Sequence, residues 1–340
     1  MHLPMLETVR RRRFTLERRH LVIGVVALVA FLAGFLLLHA RYFGPVSPVT
    51  IPSSEFIVEP DTEFDTIARN LKELGYIKSI TAFRIAYARE GGMRDIREGG
   101  YMLSPSMDAW TIAEQLSRPP YLAWITFPPG WRKEQIAEHL AKKLGWDEEE
   151  KRRFLEVGTA TSLEEREGVY YGDTYLIPSD QDPVQVAARL RDRFKEVFAP
   201  YAAKTVEKNV TWTEALIMAS LIEREAARND KRLVSGILWN RINDGMRLQV
   251  DASLQYIRGT EGNWWPVPRP EDKDLESPFN TYKYSGLPPH PIANPSIESI
   301  EAALNPEDTN CIYYLHDLDG EIHCSATYAG HRANVERYLR

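Results

Sequence analysis

TWTEALIMASLIEREAA, residues 211–227, is the stretch on which the fold of the C-terminal half turns. Thr211 followed three residues on by Glu214 is a capping box, in which each side chain satisfies a backbone N–H left open at a helix start. Ala215, Met218, Ala219, Ile222 and Ala226 then share one face at helical spacing, with Leu221 at its edge. The pattern predicts a helix of about 15 residues running to Ala227. A second helix is expected over Lys231–Asp244, stopped by Gly245, which takes a left-handed conformation at no steric cost.

Two carboxylates end the first helix. At about 100° per residue, Glu223 and Glu225 stand about 200° apart and cannot face one cleft together. Glu225 falls between Leu221 and Met218 on the margin of the apolar stripe. Glu223 lies beside Leu216, Ser220 and Ala227, nearer the polar side. A carboxyl at an apolar edge loses solvation and its pKa climbs toward ~6, so it still holds a proton near neutral pH. Such a group can protonate a leaving oxygen. Glu225 is therefore the candidate general acid and Glu223 its rival, with a pKa near the reference of ~4.3 expected for Glu223. The plainer reading is two surface carboxylates paired with Arg224 and Arg228.

Further upstream, residues 122–128 (LAWITFP) read as a strand, Gly130-Trp131 as a turn and Lys133–Leu144 as an amphipathic helix. Residues 145–200 alternate acidic helix with turns. Residues 51–118 carry a short strand at Phe56–Val58, helices over Asp61–Leu74 and Ile80–Arg89, a strand near Tyr101–Leu103 and a helix over Trp110–Leu116. Strand, helix, helix, strand in so short a run is an α+β module. The fold class expected for the whole is α+β.

The first residues differ in kind. Residues 1–20 carry a net charge of +4, leaving −10 on the other 320. An acidic folded part argues against nucleic acid as a partner, since phosphate recognition needs Lys and Arg. Leu21–Leu38 (LVIGVVALVAFLAGFLLL) is an unbroken apolar run of 18 residues, within the range that spans a hydrocarbon core as a helix. Arg10, Arg11, Arg12, Arg13, Arg18 and Arg19 precede it and only Arg41 follows closely. The positive-inside rule then leaves the tail in the cytoplasm and puts the rest outside. A cleaved signal peptide competes with an anchor, but the run exceeds the usual ~7–15 residues and lacks a small-x-small site after it. The expected order is tail 1–20, transmembrane helix 21–40, linker 41–50, small module 51–118 and a larger region 119–340 with its core from about 205.

Cys311 and Cys324 are the two cysteines and show no CxxC or Cys/His metal spacing. Both fall in an expected hairpin (CIYYLHD-LDG-EIHCSATY). A disulfide there and a pair of small unpaired core residues both remain open. Downstream of the glutamates lie Asn240-Arg241, then MRLQVD (246–251), SPFNTY (277–282) and GLPPHPIANP (286–295). Loops this dense in amides, hydroxyls and rings suit a sugar, whose hydroxyls need hydrogen bonds and whose faces stack on rings. Asn240, Arg241, Gln249, Asp251, Asn280 and Tyr282 are the candidate substrate contacts; ordinary proline-rich turns are the alternative.

The order ASLIEREA (219–226), WNRINDGMRLQVD (239–251), SPFNTY (277–282), GLPPHPIANP (286–295), AALNP (302–306) and HCSATYAGHRANV (323–335) resembles the YceG-like endolytic murein transglycosylases across nearly the whole chain. FPPGW (127–131) and EGVYYGDTYLIP (167–178) are weaker matches, and residues 51–118 resemble the family's LysM-like module. Pro129 replaces an expected Glu, Gly172 a Pro, Ser296 a Gly, and Gly330 and Arg332 the usual Glu and Asn. The resemblance puts the catalytic glutamate on Glu225 and a functional tyrosine on Tyr282. It implies lytic cleavage of peptidoglycan glycan strands beside peptidoglycan synthases at the outer face of the cytoplasmic membrane, with no metal or organic cofactor. A non-catalytic peptidoglycan-binding scaffold and a water-using muramidase are the alternatives.

Overall fold

The computed structural model describes residues 5–90, 95–157, 167–227 and 229–340, with side chains from Val22 onward. Arg228, offered above as an ion-pair partner, lies outside them. The chain divides into two compact units, Met1–Leu122 and Ala123–Arg340, and it mixes helices with short antiparallel strands, an α+β fold.

In the first unit, helix α1 (Met5–Tyr42) contains the apolar run, and its segment Val22–Tyr42 has a mean hydropathy of 2.6 with none of it buried inside the protein. That is long and apolar enough to cross a membrane. Strand β1 (Ser54–Val58) pairs antiparallel with β2 (Gly99–Leu103), in register from Ser54 opposite Leu103 to Val58 opposite Gly99. Alternation along β1 points Phe56 and Val58 into a core completed by α2 (Phe64–Glu73), α3 (Ile80–Arg89) and α4 (Ala109–Ser117). Helix α2 begins later than Asp61, which has a φ of 57° and ends the preceding turn. Ser79 and Asp108 cap α3 and α4, accepting from the N–H groups of Ala82 and Thr111.

The second unit follows strand β3 (Leu122–Thr126) with α5 (Lys133–Leu144), α6 (Glu148–Glu156), strand β4 (Thr174–Pro178) and α7 (Pro183–Glu207). Helix α7, with 25 residues and Pro200 inside it, is the departure from the expected alternation of short helices and turns. Val186, Ala187, Leu190, Phe194 and Phe198 hold one buried stripe through it, and tertiary packing outweighs the proline's local cost.

Helix α8 (Trp212–Glu225) is the centre of this unit, packed by α7, α9 (Lys231–Asn243), α10 (Asp251–Arg258) and α11 (Ile297–Leu304). The Thr211–Glu214 capping box forms as expected. The single apolar face does not describe it. All eight residues from Ala215 to Ile222 are buried, because helices cover its supposed polar side as well. Ser220, on that side, donates to the Ile217 carbonyl and accepts from the Ile292 N–H. The helix ends two residues early, at Glu225, where Ala226 turns extended. The chain closes on a hairpin, β5 (Tyr313–His316) and β6 (Ile322–Ser325), and α12 (Tyr328–Tyr338).

Candidate active site

The two glutamates end in different surroundings. Glu223 turns toward the start of α11. Its Oε2 accepts from the Ser296 N–H (3.1 Å), the Ser296 hydroxyl (2.6 Å) and the Ser299 hydroxyl (2.5 Å), and Lys231 Nζ stands 3.2 Å away. Burial pushes this carboxyl up, but the two serine hydroxyls, the lysine charge and the backbone donor outweigh it and hold it below the ordinary range. That corrects the expectation of a reference-like value. Ser296 is also the N-cap of α11, so Glu223 ties α8 to α9 and α11.

Glu225, the last residue of α8, reaches the start of α10 and the C-terminal hairpin. Its Oε1 accepts from the Ala252 N–H at 3.1 Å and its Oε2 from the Tyr314 hydroxyl at 2.8 Å. Burial is the largest influence and raises its pKa. The Ala252 N–H and Tyr314 pull the other way, Asp251 adds to the rise and His316 opposes it. The result is a carboxyl that releases its proton above the ordinary glutamate range.

Glu225 lines a cleft of about 280 Å³ with Arg241, Gln249, Asp251, Tyr282 and the aromatic residues Tyr313, Tyr314, Tyr328 and His331. Gln249 is placed by a φ of 53° and an N–H bond to the Thr281 carbonyl, a turn that lets Leu248 and Val250 point inward on either side. Asp251 opens α10 and accepts from the Tyr282 hydroxyl at 2.6 Å. Arg241, 6% exposed, spends Nε on the Ile312 carbonyl and Nη1 on that of Leu248. Loss of solvation lowers its pKa from a very high starting value.

Asn240 and Asn280, both sequence candidates, do not line this cleft. Asn240 Nδ2 donates to the carbonyls of Thr309 and Cys311. Asn280 is fully buried, donates to the carbonyls of Lys273 and Leu275, and accepts from the Tyr282 N–H. They brace the loops on which the cleft residues stand. The second half of the loop at 286–295 is likewise core rather than cleft: Ile292, Ala293 and Asn294 are buried, and Asn294 binds Tyr170, Trp131 and Glu167. Another carboxyl raised by burial, Glu167, is 2% exposed and accepts from the Lys133 N–H, a structural position.

Sequence reasoning missed Tyr313, Tyr314, Tyr328 and His331. Their signal was four ring side chains in a hairpin and the helix after it, here stacked as Tyr313 on His331 with centroids 5.5 Å apart. Cys311 and Cys324, left open above, form a disulfide across that hairpin.

A mixed α+β fold with a desolvated carboxyl in a cleft of rings and polar side chains has a family counterpart. The model of the YceG-like family matches residues 56–337, and the chain belongs to that family. It is 26% identical to a protein of Streptococcus pneumoniae (strain D39), across 94% of this chain and 66% of that one. It is 28% identical to a protein of Bacillus subtilis (strain 168), across 91% and 90%. Both relatives are named endolytic murein transglycosylase. The chain spans 66% of the length of the pneumococcal relatives. The crystal structure of a yceG-like protein from Listeria monocytogenes shares the fold, with a TM-score of 0.60 at 24% identity over 83% of this chain and 98% of that one.

Proposed function

We propose that this chain is a membrane-anchored lytic transglycosylase that cuts within peptidoglycan glycan strands, at the β-1,4 bond between N-acetylmuramic acid and N-acetylglucosamine. The observation that carries the reading is the Glu225 carboxyl, raised by burial and facing the ring-lined cleft. The names of the pneumococcal and Bacillus relatives supply the substrate class.

In this reading protonated Glu225 gives its proton to the glycosidic oxygen as the bond from the muramoyl anomeric carbon breaks. The carboxylate then takes the proton of the muramoyl 6-hydroxyl, whose oxygen closes on that carbon as a 1,6-anhydro ring. Glu225 ends protonated and no water is consumed. A single carboxyl suffices, unlike the carboxylate pair of most glycoside hydrolases. Gln249, Asp251, Arg241 and Tyr282 would bind sugar hydroxyls and carbonyls, while Asn240 and Asn280 hold the loops beneath them. The segment Val22–Tyr42 would tether the chain to the cytoplasmic membrane by a single pass, with residues beyond it outside. There the LysM-like module 51–118 meets new strands beside the peptidoglycan synthases.

The test is the pair Glu225→Gln and Glu223→Gln, each assayed on purified glycan strands. Glu225→Gln keeps the shape and loses the transferable proton, so cleavage should fall by about 10⁴-fold. Glu223→Gln should cost much less. An active Glu225→Gln beside an inactive Glu223→Gln would move the chemistry to the other glutamate. Two active variants would leave a glycan-binding scaffold.

A further inference from the structure

Glu225 takes one side-chain hydrogen bond among the described residues, and it comes from Tyr314. With Ala252 N–H on Oε1 and Tyr314 on Oε2, both carboxyl oxygens are engaged and the plane of the group is fixed. The support behind this one hydroxyl is extensive. Tyr314 stands opposite Cys324 in the β5–β6 ladder, and the Cys311–Cys324 disulfide closes the same hairpin. Helix α9 holds the chain just before Tyr314, with Asn240 bonded to the Thr309 and Cys311 carbonyls and Arg241 to that of Ile312. Burial and the neighbouring Glu225 push the tyrosine's own titration far above neutrality, so it remains a hydroxyl donor throughout the working pH range.

We propose that Tyr314 is a positioning residue for Glu225, fixing the plane of its carboxyl group and donating to it each time its proton leaves. The inference rests on the reading of Glu225 as acid and base. A donor to the carboxylate favours the ionised form and works against burial. The other charged or titratable groups around Glu225 are Asp251 at the start of α10, His316 on β5, Arg241 on α9, Arg224 on α8 itself and Tyr282. Tyr314→Phe leaves all of them in place and removes only the donor.

The experiment is the pH profile of glycan cleavage by wild type and Tyr314→Phe, between about pH 5 and 9 and well below the variant's melting temperature. Cleavage requires protonated Glu225, so activity declines as pH rises through its pKa. Without the Tyr314 donor that decline should move to higher pH by about one unit. At the plateau kcat should fall about tenfold with KM nearly unchanged, since an interaction made as the proton leaves is lost. An unmoved decline would overturn the inference and leave Tyr314 as packing alone. Glu225→Gln run in parallel separates the two ideas. If it is inactive while the Tyr314→Phe decline stays put, only the inference fails. If it cleaves like wild type, the reading of Glu225 fails and takes the inference with it.

Discussion

Glu223 and Glu225 are two residues apart and opposite in electrostatics, and stability measurements should separate them. Glu223 has a lowered pKa in the folded state, so its contribution is present above the unfolded value and lost as pH falls through the folded one. Glu223→Gln replaces an acceptor serving three protein donors and a lysine, and should cost about 2–3 kcal/mol at pH 7. Glu225 has a raised pKa, so the folded protein is penalised once pH rises beyond the unfolded value. Glu225→Gln should therefore melt at or above wild type at pH 7, while melting curves near pH 4 should coincide more closely. A lower melting point at pH 7 would deny the desolvation. Helical spacing set Glu223 and Glu225 on different sides of α8, but it could not show that Ser296, Ser299 and Lys231 converge on Glu223 from up to 76 residues away. Asn280 teaches the same lesson: its place in a polar loop makes it a candidate sugar contact, yet it is fully buried. Asn280→Ala should lower the melting temperature as well as turnover, because two carbonyls lose their donor. Gly172 and Pro129, both departures from the family pattern, meet: a Cβ at Gly172 would lie 2.6 Å from Pro129 N and 2.7 Å from the Pro128 carbonyl carbon. Gly172→Ala should cost about 1–3 kcal/mol by crowding, and an unchanged melting curve would argue against that approach.

The capped and glycine-stopped helices were legible because their boundaries are local chemistry. Helix α5 spans Lys133–Leu144 with Gly145 left-handed at its end, and α9 stops before Gly245 at a φ of 66°. Helices α10, α11 and α12 have no counterpart in the sequence reading, which has α7 only as part of an alternation of acidic helix with turns, because the stripe of α7 is unmistakable only once the core it faces is known. The C-terminal hairpin was read as a hairpin but not as a wall of the cleft, because its rings gain meaning only when α8 ends beside them. Its disulfide closes a span of 13 residues, for which loop closure predicts a stabilisation of about 3 kcal/mol. Reduction, or the double change of Cys311 and Cys324 to Ser, should lower the melting temperature and reduce cleavage, since Tyr313 and Tyr314 lie between the two sulfurs. Equal melting with and without reductant would show that the cross-link carries no load.

At the scale of the molecule, a basic tail, an apolar helix long enough to cross a membrane and an acidic remainder are legible from charge and length alone, and they support the proposed anchor. The protein should stay with membranes through alkaline carbonate extraction, and removal of residues 1–45 should release it. A natural N-terminus beyond Leu38 would instead mark a cleaved leader. The proposed reaction consumes no water, and the mass of the new ends reports on that. Purified glycan strands are digested in ¹⁸O-labelled water and the ends weighed. Muramoyl ends one water lighter than reducing ends and free of label are the predicted result. Reducing ends carrying the label would contradict it, establishing that water, not the 6-hydroxyl, attacks the anomeric carbon.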